Sequence, residues 1–192
     1  MRMKNLQWGR SSSSADMYGI VCIIAFVMLS VADGVEWDCT ASKNTGTFTR
    51  SSDCTTSGVG NTNDQGGGVD VTGTLEIVGS STDMENLVTI SAASKNRHFY
   101  VNGANDKLVL RYVKLVGGDV GSSGGISIRN AAEVQLYYCY LSSNKAGYGA
   151  AIDAEGTYGR TVKVYAENSI LQGNSATFYG GGMRIYLSLI HI

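Results

Sequence analysis

Few residues in this 192-residue chain are of a type and spacing that does chemistry. Asp119, Asp153 and Glu155 are carboxylates, and Arg160 follows closely. Two carboxylates facing each other across a groove, about 5 to 9.5 Å apart, would suit glycoside hydrolysis, and an arginine beside them could act as electrophile or base in a lyase-like site. The surrounding sequence argues the other way. Asp153 follows a Gly-Ala-Ala-Ile turn and Glu155 opens the insertion Glu155-Gly-Thr-Tyr-Gly-Arg160, positions where solvated loop charges are ordinary. The expectation is that this segment holds no catalytic residue. His98, beside Phe99, reads as a strand residue with its ring on the outer face. The cysteines, Cys22, Cys39, Cys54 and Cys139, form no C-x-x-C pair, which disfavours zinc and thioredoxin-type redox sites. Convergent metal ligands are not visible, Asn61-Thr-Asn-Asp-Gln65 lacks the order of a calcium loop, and no Gly-Lys-Ser/Thr follows Gly117-Gly118 or Gly180 to Gly182. No metal and no cofactor are expected.

The positive hint of binding is aromatic. Tyr112, Tyr138, Tyr140, Tyr148, Tyr158, Tyr165 and Tyr179 could line an outer strip, with Tyr138, Tyr140 and Tyr165 as the candidate contact residues. Flat aromatic faces suit carbohydrate or a surface protein because they offer area at low side-chain entropy. The bland alternative is β propensity alone. Charged residues are 16% of the chain and the net charge is -1, so a basic nucleic-acid footprint is absent. Apolar residues at 43% are too many for a disordered chain. Glycine occurs 25 times and proline not at all, so the turns must be made by Gly, Asn, Asp and Ser.

The elements that must hold these residues come from a repeat. Leu108 to Gly118, Val134 to Asn144 and Val162 to Asn174 align, with starts 26 and 28 residues apart, and each is followed by a Gly-rich pivot: Gly124-Gly-Ile126, Gly149-Ala-Ala-Ile152, Gly180-Gly-Gly-Met183. That spacing belongs to solenoids. Alternation at period two, as in Leu108/Leu110, Val134/Leu136 and Val162/Val164, predicts half-buried strands. The fold class is all-β: a right-handed parallel β-helix in which Leu108, Val134 and Val162 form one internal ladder and Leu110, Leu136 and Val164 the next. Val69-Asp-Val71, Leu75-Glu-Ile77, Leu87 to Ile90 and His98 to Val101 read as earlier, less regular coils, so the helix is placed at residues 69–186.

Leu141-Ser-Ser-Asn144 with Gly149-Ala-Ala-Ile152, and Leu171-Gln-Gly-Asn174 with Gly180-Gly-Gly-Met183, resemble the paired F-x-x-N and G-G-A-[ILVM] tetrapeptides of polymorphic outer membrane protein repeats, which are surface-displayed β-helices of the pectin-lyase-like class. Leu replaces Phe in both copies. The resemblance covers residues 108–183 and implies a secreted or surface scaffold, often adhesive, with no catalytic residue. Asn144, Asn174, Gly149 and Gly180 would be corner pivots, the asparagine amides bonding the backbone of the next coil. The class also contains polysaccharide lyases and hydrolases, the alternative expectation.

Residues 33–68, rich in Ser, Thr, Asn and Gly, read as a polar cap closed by a Cys39–Cys54 disulfide, with Cys139 as a buried thiol. Arg2, Lys4 and Arg10 precede the apolar run Ile20 to Ala32 and then Asp33, the pattern of a secretory signal cleaved after Ala32, or of a signal anchor. A secreted or cell-surface location, with no membrane segment after cleavage, follows as an expectation. Leu187 to Ile192 looks like a translated sequencing-library adapter and is expected to be a non-native tail, so His191 is assigned no site.

Overall fold

The computed structural model describes residues 34–40, 45–56, 67–93 and 95–186, with the backbone of 188–191. The signal segment, its cleavage site and the polar stretch 57–66 lie outside the described residues.

Alternating apolar residues separated by left-handed corners give short strands that cannot pair within one coil, so each pairs with the equivalent strand of the next. The first described coil contains β1 (Gly46–Arg50), β2 (Cys54–Thr56) and β3 (Val69–Val71), and the second β4 (Thr74–Gly79), β5 (Val88–Ala92) and β6 (Phe99–Asn102). The third contains β7 (Lys107–Arg111), β8 (Val113–Val116), β9 (Asp119–Val120) and β10 (Ile126–Arg129). The fourth contains β11 (Glu133–Tyr137), β12 (Tyr140–Ser142), β13 (Lys145–Tyr148) and β14 (Ile152–Glu155). The fifth contains β15 (Val162–Glu167), β16 (Ile170–Gln172), β17 (Ser175–Tyr179) and β18 (Met183–Tyr186), and β19 (Ser188–His191) follows. Four parallel sheets result, in the orders β1-β4-β7-β11-β15-β19, β2-β5-β8-β12-β16, β9-β13-β17 and β3-β6-β10-β14-β18. Among the described residues there is no helix. The protein is a parallel β-helix.

In-register pairing stacks like on like. Phe48, Ile77, Leu110, Leu136 and Ala166 form one inward ladder. Cys54, Ile90, Leu115, Leu141 and Leu171 form a second, so the leucines standing where Phe was expected do fill the core. Val69, Phe99, Ile126, Ile152 and Met183 form a third. The expected pairing of Val162 with Val134 is corrected: Val134 pairs with Leu108 and Val164, and Leu136 with Ala166. The repeats register on their asparagine corners and not on their first apolar residue, and the tight Thr157–Arg160 turn before β15 absorbs the extra length.

The corner device is explicit. Gly117, Ser143 and Gly173 take positive φ (79°, 57° and 65°), and Gly118, Asn144 and Asn174 follow them. Asn144 Oδ1 accepts from the Gly118 N–H at 2.9 Å, and Asn174 Oδ1 accepts from the Asn144 N–H at 3.1 Å. The amide nitrogens donate to Leu115 O at 3.5 Å and Leu141 O at 2.9 Å, and Asn144 Nδ2 also donates to Asn174 Oδ1 at 2.9 Å. Each asparagine therefore holds the backbone of the coil before it, the reverse of the expected direction. Gly149 is fixed by conformation and space together: its φ is +46° and an added Cβ would lie 2.4 Å from the Ile152 carbonyl.

The described strands within residues 33–68 belong to the stack. β1 and β2 already pair with β4 and β5, so the stack begins well before residue 69. Cys39 and Cys54 are joined in a disulfide, and the buried Trp37 stacks on Phe99 at 5.8 Å. Ser188–His191, expected to be a tail, runs as β19 beside β15.

Two outcomes test this architecture. Asn144→Ala leaves a buried N–H and C=O without their amide partner, each costing ~1–3 kcal/mol; the urea midpoint should fall by the equivalent of about 2–4 kcal/mol, and more than for the half-buried Asn174→Ala. Reducing the Cys39–Cys54 bridge, which spans 15 residues, should cost about 3 kcal/mol in the loop-entropy account, read from the same denaturation curve with and without reductant.

Candidate functional site

The outward positions of β3, β6, β10, β14 and β18 align as Asp70, Tyr100, Ser127, Asp153 and Arg184, and beside them run Asn102, Arg129, Glu155 and Tyr186. The expectation of solvated loop charges is overturned here. Asp153 lies within β14 and is 0% exposed. Its Oδ2 accepts from Arg129 Nη2 at 2.6 Å and Arg184 Nη2 at 3.1 Å, and its Oδ1 from Arg184 Nε at 2.5 Å. Glu155, at the end of the same strand, ion-pairs with Arg184 at 2.7 Å and Arg129 at 3.6 Å. The Asp153 hydrogen bond, more than any other contact, holds the Arg184 pKa above its ordinary value. A buried anion survives only when it is paired and hydrogen-bonded, and a two-carboxylate, two-arginine network does this. The pair share one strand and two cations and do not face each other across a groove as acid and nucleophile. Arg160 lies away from them in the Thr157–Arg160 turn.

Asp119 belongs to a different surface. An open cleft of about 580 Å³ runs along β9, β13 and β17, lined by Lys95, Asp119, Lys145, Ser175, Thr177 and Phe178 at its edges and by Val120, Ala146 and the glycines 121 and 147 on its floor. Asp119, Lys145 and Ser175 are stacked one per coil because each follows a corner residue, Gly118, Asn144 or Asn174. Neither lysine makes an ion pair within 4 Å with any described residue. β17 carries a bulge opposite β13: Ala146 pairs with Ala176 but Tyr148 with Tyr179, so Thr177 and Phe178 together oppose Gly147. A bulge re-aims a side chain. Phe178 is turned onto the strand surface, stacked on Tyr148 at 5.2 Å and 63% exposed. Gly147 lets β13 approach the preceding coil, since a Cβ there would lie 2.3 Å from the Gly121 carbonyl. Arg184 covers the Tyr148 ring at 4.8 Å and so ties the cleft to the ion network.

The tyrosines do not form one strip. Tyr112 and Tyr138 occupy a left-handed corner (φ 55° and 54°) and stack on each other at 5.1 Å. Tyr140 points out from β12, its hydroxyl donating to Gln172 Oε1 at 2.9 Å, and Tyr165 lies on β15 in the sheet on the other side of that corner. Tyr148 and Tyr179 stack together at the cleft at 6.0 Å, and Tyr158 stands alone on the turn after β14, fully exposed. Sequence reasoning singled out Tyr138, Tyr140 and Tyr165, which the fold separates, and missed Phe178, Lys95 and Lys145. The legible signal was the residue after each corner; the bulge that aims Phe178 was not legible.

His98 is a correction. Its ring is 0% exposed and faces inward, because the equivalent positions in later coils are Gly125, Ala151 and Gly182, which leave space. Burial pushes its pKa down to about 4. The Asn144 side chain and the Val116 backbone beside it oppose this shift, but neither makes a hydrogen bond of full geometry to the ring. Cys139 is likewise buried, its thiol pushed up to about 11 by desolvation, with Sγ against the Leu110 and Tyr137 carbonyls. It behaves as a core residue. Among the described residues no three His, Cys, Asp or Glu side chains converge on a metal-sized site.

The His98 shift sets a pH dependence. Above about pH 6.5 the imidazole is neutral folded and unfolded, and stability is full. As pH falls from 6.5 towards 4 the unfolded state takes up the proton first, so stability should drop, reaching about 3 kcal/mol below pH 4. The difference in urea midpoint between the wild type and His98→Leu, followed across that window, isolates this contribution from the carboxylates; a constant difference would refute it. No protein-family model, no curated protein and no solved structure matches this chain.

Proposed function

We propose that this protein is a non-catalytic β-helical scaffold, secreted or cell-surface, that presents an outer sheet face for adhesion or for contact with extracellular matrix carbohydrate. One observation carries the reading. The carboxylates best placed for chemistry, Asp153 and Glu155, are committed to Arg129 and Arg184, while the neighbouring cleft leaves its cations and its aromatic ring open to a ligand. A pre-formed concave site with an aromatic wall and a few polar groups is a binding site in the ordinary sense. The resemblance to surface-displayed repeats, and the secretory character of residues 1–32, support placing the protein outside the cell.

The test is incubation with a panel of polysaccharides, following both retention and turnover. Retention without release of reducing or unsaturated ends is the expected result. Turnover that Glu155→Gln abolishes would replace the scaffold with a polysaccharide lyase or hydrolase built on the Asp153, Glu155, Arg129 and Arg184 group.

A further inference from the structure

We infer that Tyr158 is an oxidative cross-linking site, at which its phenol couples to the Tyr158 phenol of a second copy of the chain. This rests on the scaffold reading and adds to it a means of joining scaffolds covalently. The turn that carries Tyr158 is not needed by the stack. Asn130 to Ala132 suffice to lead from β10 into β11, and Leu108 there pairs with Val134, 26 residues on. Val134 pairs with Val164, 30 residues on, and the Thr157–Arg160 hairpin takes up the difference. Thr157 and Arg160 close that hairpin with backbone hydrogen bonds of 3.1 and 2.8 Å, and Gly159 supplies the left-handed residue at its tip, φ 74°. A Cβ on Gly159 would meet nothing within 4 Å, so the tip stands clear of the coils.

Accessibility singles out this ring. Tyr158 is fully exposed although both neighbouring coils are in place around its turn: Ala132 accepts from the Lys163 N–H at 3.0 Å on one side, and Tyr186 from the Gly156 N–H at 2.8 Å on the other. Its exposure belongs to the hairpin and not to an uncovered edge. Every other described tyrosine has an interaction partner, as Tyr112 stacks on Tyr138 at 5.1 Å, Arg111 covers Tyr137 at 4.0 Å and Tyr179 lies against Tyr148 at 6.0 Å. Coupling requires the ring carbon ortho to each hydroxyl to reach bonding contact with another chain. A stacked or covered ring on a sheet face resists this, and a ring on a projecting turn permits it. The net charge of -1 leaves two copies without strong mutual repulsion. A one-electron oxidant, here a haem peroxidase using hydrogen peroxide, removes the O–H hydrogen atom from each Tyr158. The two phenoxyl radicals join through their ortho carbons, and transfer of each ortho proton to oxygen restores both hydroxyls. The peroxide takes up the two hydrogen atoms and leaves as two waters.

Treating the full chain with a haem peroxidase and limiting hydrogen peroxide, then separating it under reducing and denaturing conditions, tests the site. A covalent dimer with dityrosine fluorescence is expected, and digestion should yield two Tyr158-bearing peptides joined with the loss of two hydrogen atoms. Tyr158→Phe keeps the ring and should leave the thermal midpoint unchanged while lowering the dimer yield at least fivefold. Tyr179→Phe with Tyr186→Phe, which removes the other strongly exposed phenols, should leave most of the dimer. No covalent dimer, a dimer mapped to other tyrosines, or equal yields from the wild type and Tyr158→Phe would overturn the assignment. The polysaccharide panel is read separately: retention without a dimer removes only this site, and a Tyr158-linked dimer that also turns polysaccharide over removes only the scaffold reading.

Discussion

Everything in this molecule depends on strands that can pair only with their equivalents one coil away. A single coil has no second layer to bury its apolar side, so Leu108, Val134 and Val164, or Leu115, Leu141 and Leu171, become a core only when neighbouring coils lie in register. A two-residue slip would keep the alternation and still misplace every corner. The corner asparagines prevent it, because Asn144 and Asn174 satisfy backbone groups of the preceding coil that no strand reaches. Register is set by polar groups that are costly to leave unpaired, and the apolar ladders then follow.

The same stacking governs the surface. Outward residues at one position lie ~4.8 Å apart, where like charges destabilise and opposite ones help. Lys107, Glu133 and Lys163 alternate in sign along one row, and Ser127, Asp153 and Arg184 place a carboxylate beside a guanidinium in another. Pairs that look like acid–base chemistry in the sequence are largely explained by this requirement. Asp119 and Lys145 follow the same rule one coil apart in the β9, β13 and β17 sheet.

Irregularity is confined to places where it aims or accommodates a side chain. Later coils use Gly or Ala where the second coil has His98, and the imidazole takes the interior volume they leave at the cost of a strongly depressed basicity. The bulge in β17 adds one residue to a strand on the outermost described coil and turns Phe178 out against Tyr148. Both features are local departures from the repeat, and one of them makes the candidate site.

The sequence by itself determined the parallel β-helix, its asparagine and glycine corners and the pairing of Leu108 with Val134 and Leu110 with Leu136, because period-two alternation and left-handed corner residues are local and recur. It misplaced Val162 and Val164, since counting from the first apolar residue ignores the length absorbed in the Thr157–Arg160 turn. It read Asp153 as solvated and His98 as outward because burial depends on what stacks above and below, which no single coil encodes. The cleft was the least legible: Lys95, Lys145 and Phe178 are far apart along the chain, and only coil stacking and one bulge bring them to a common surface.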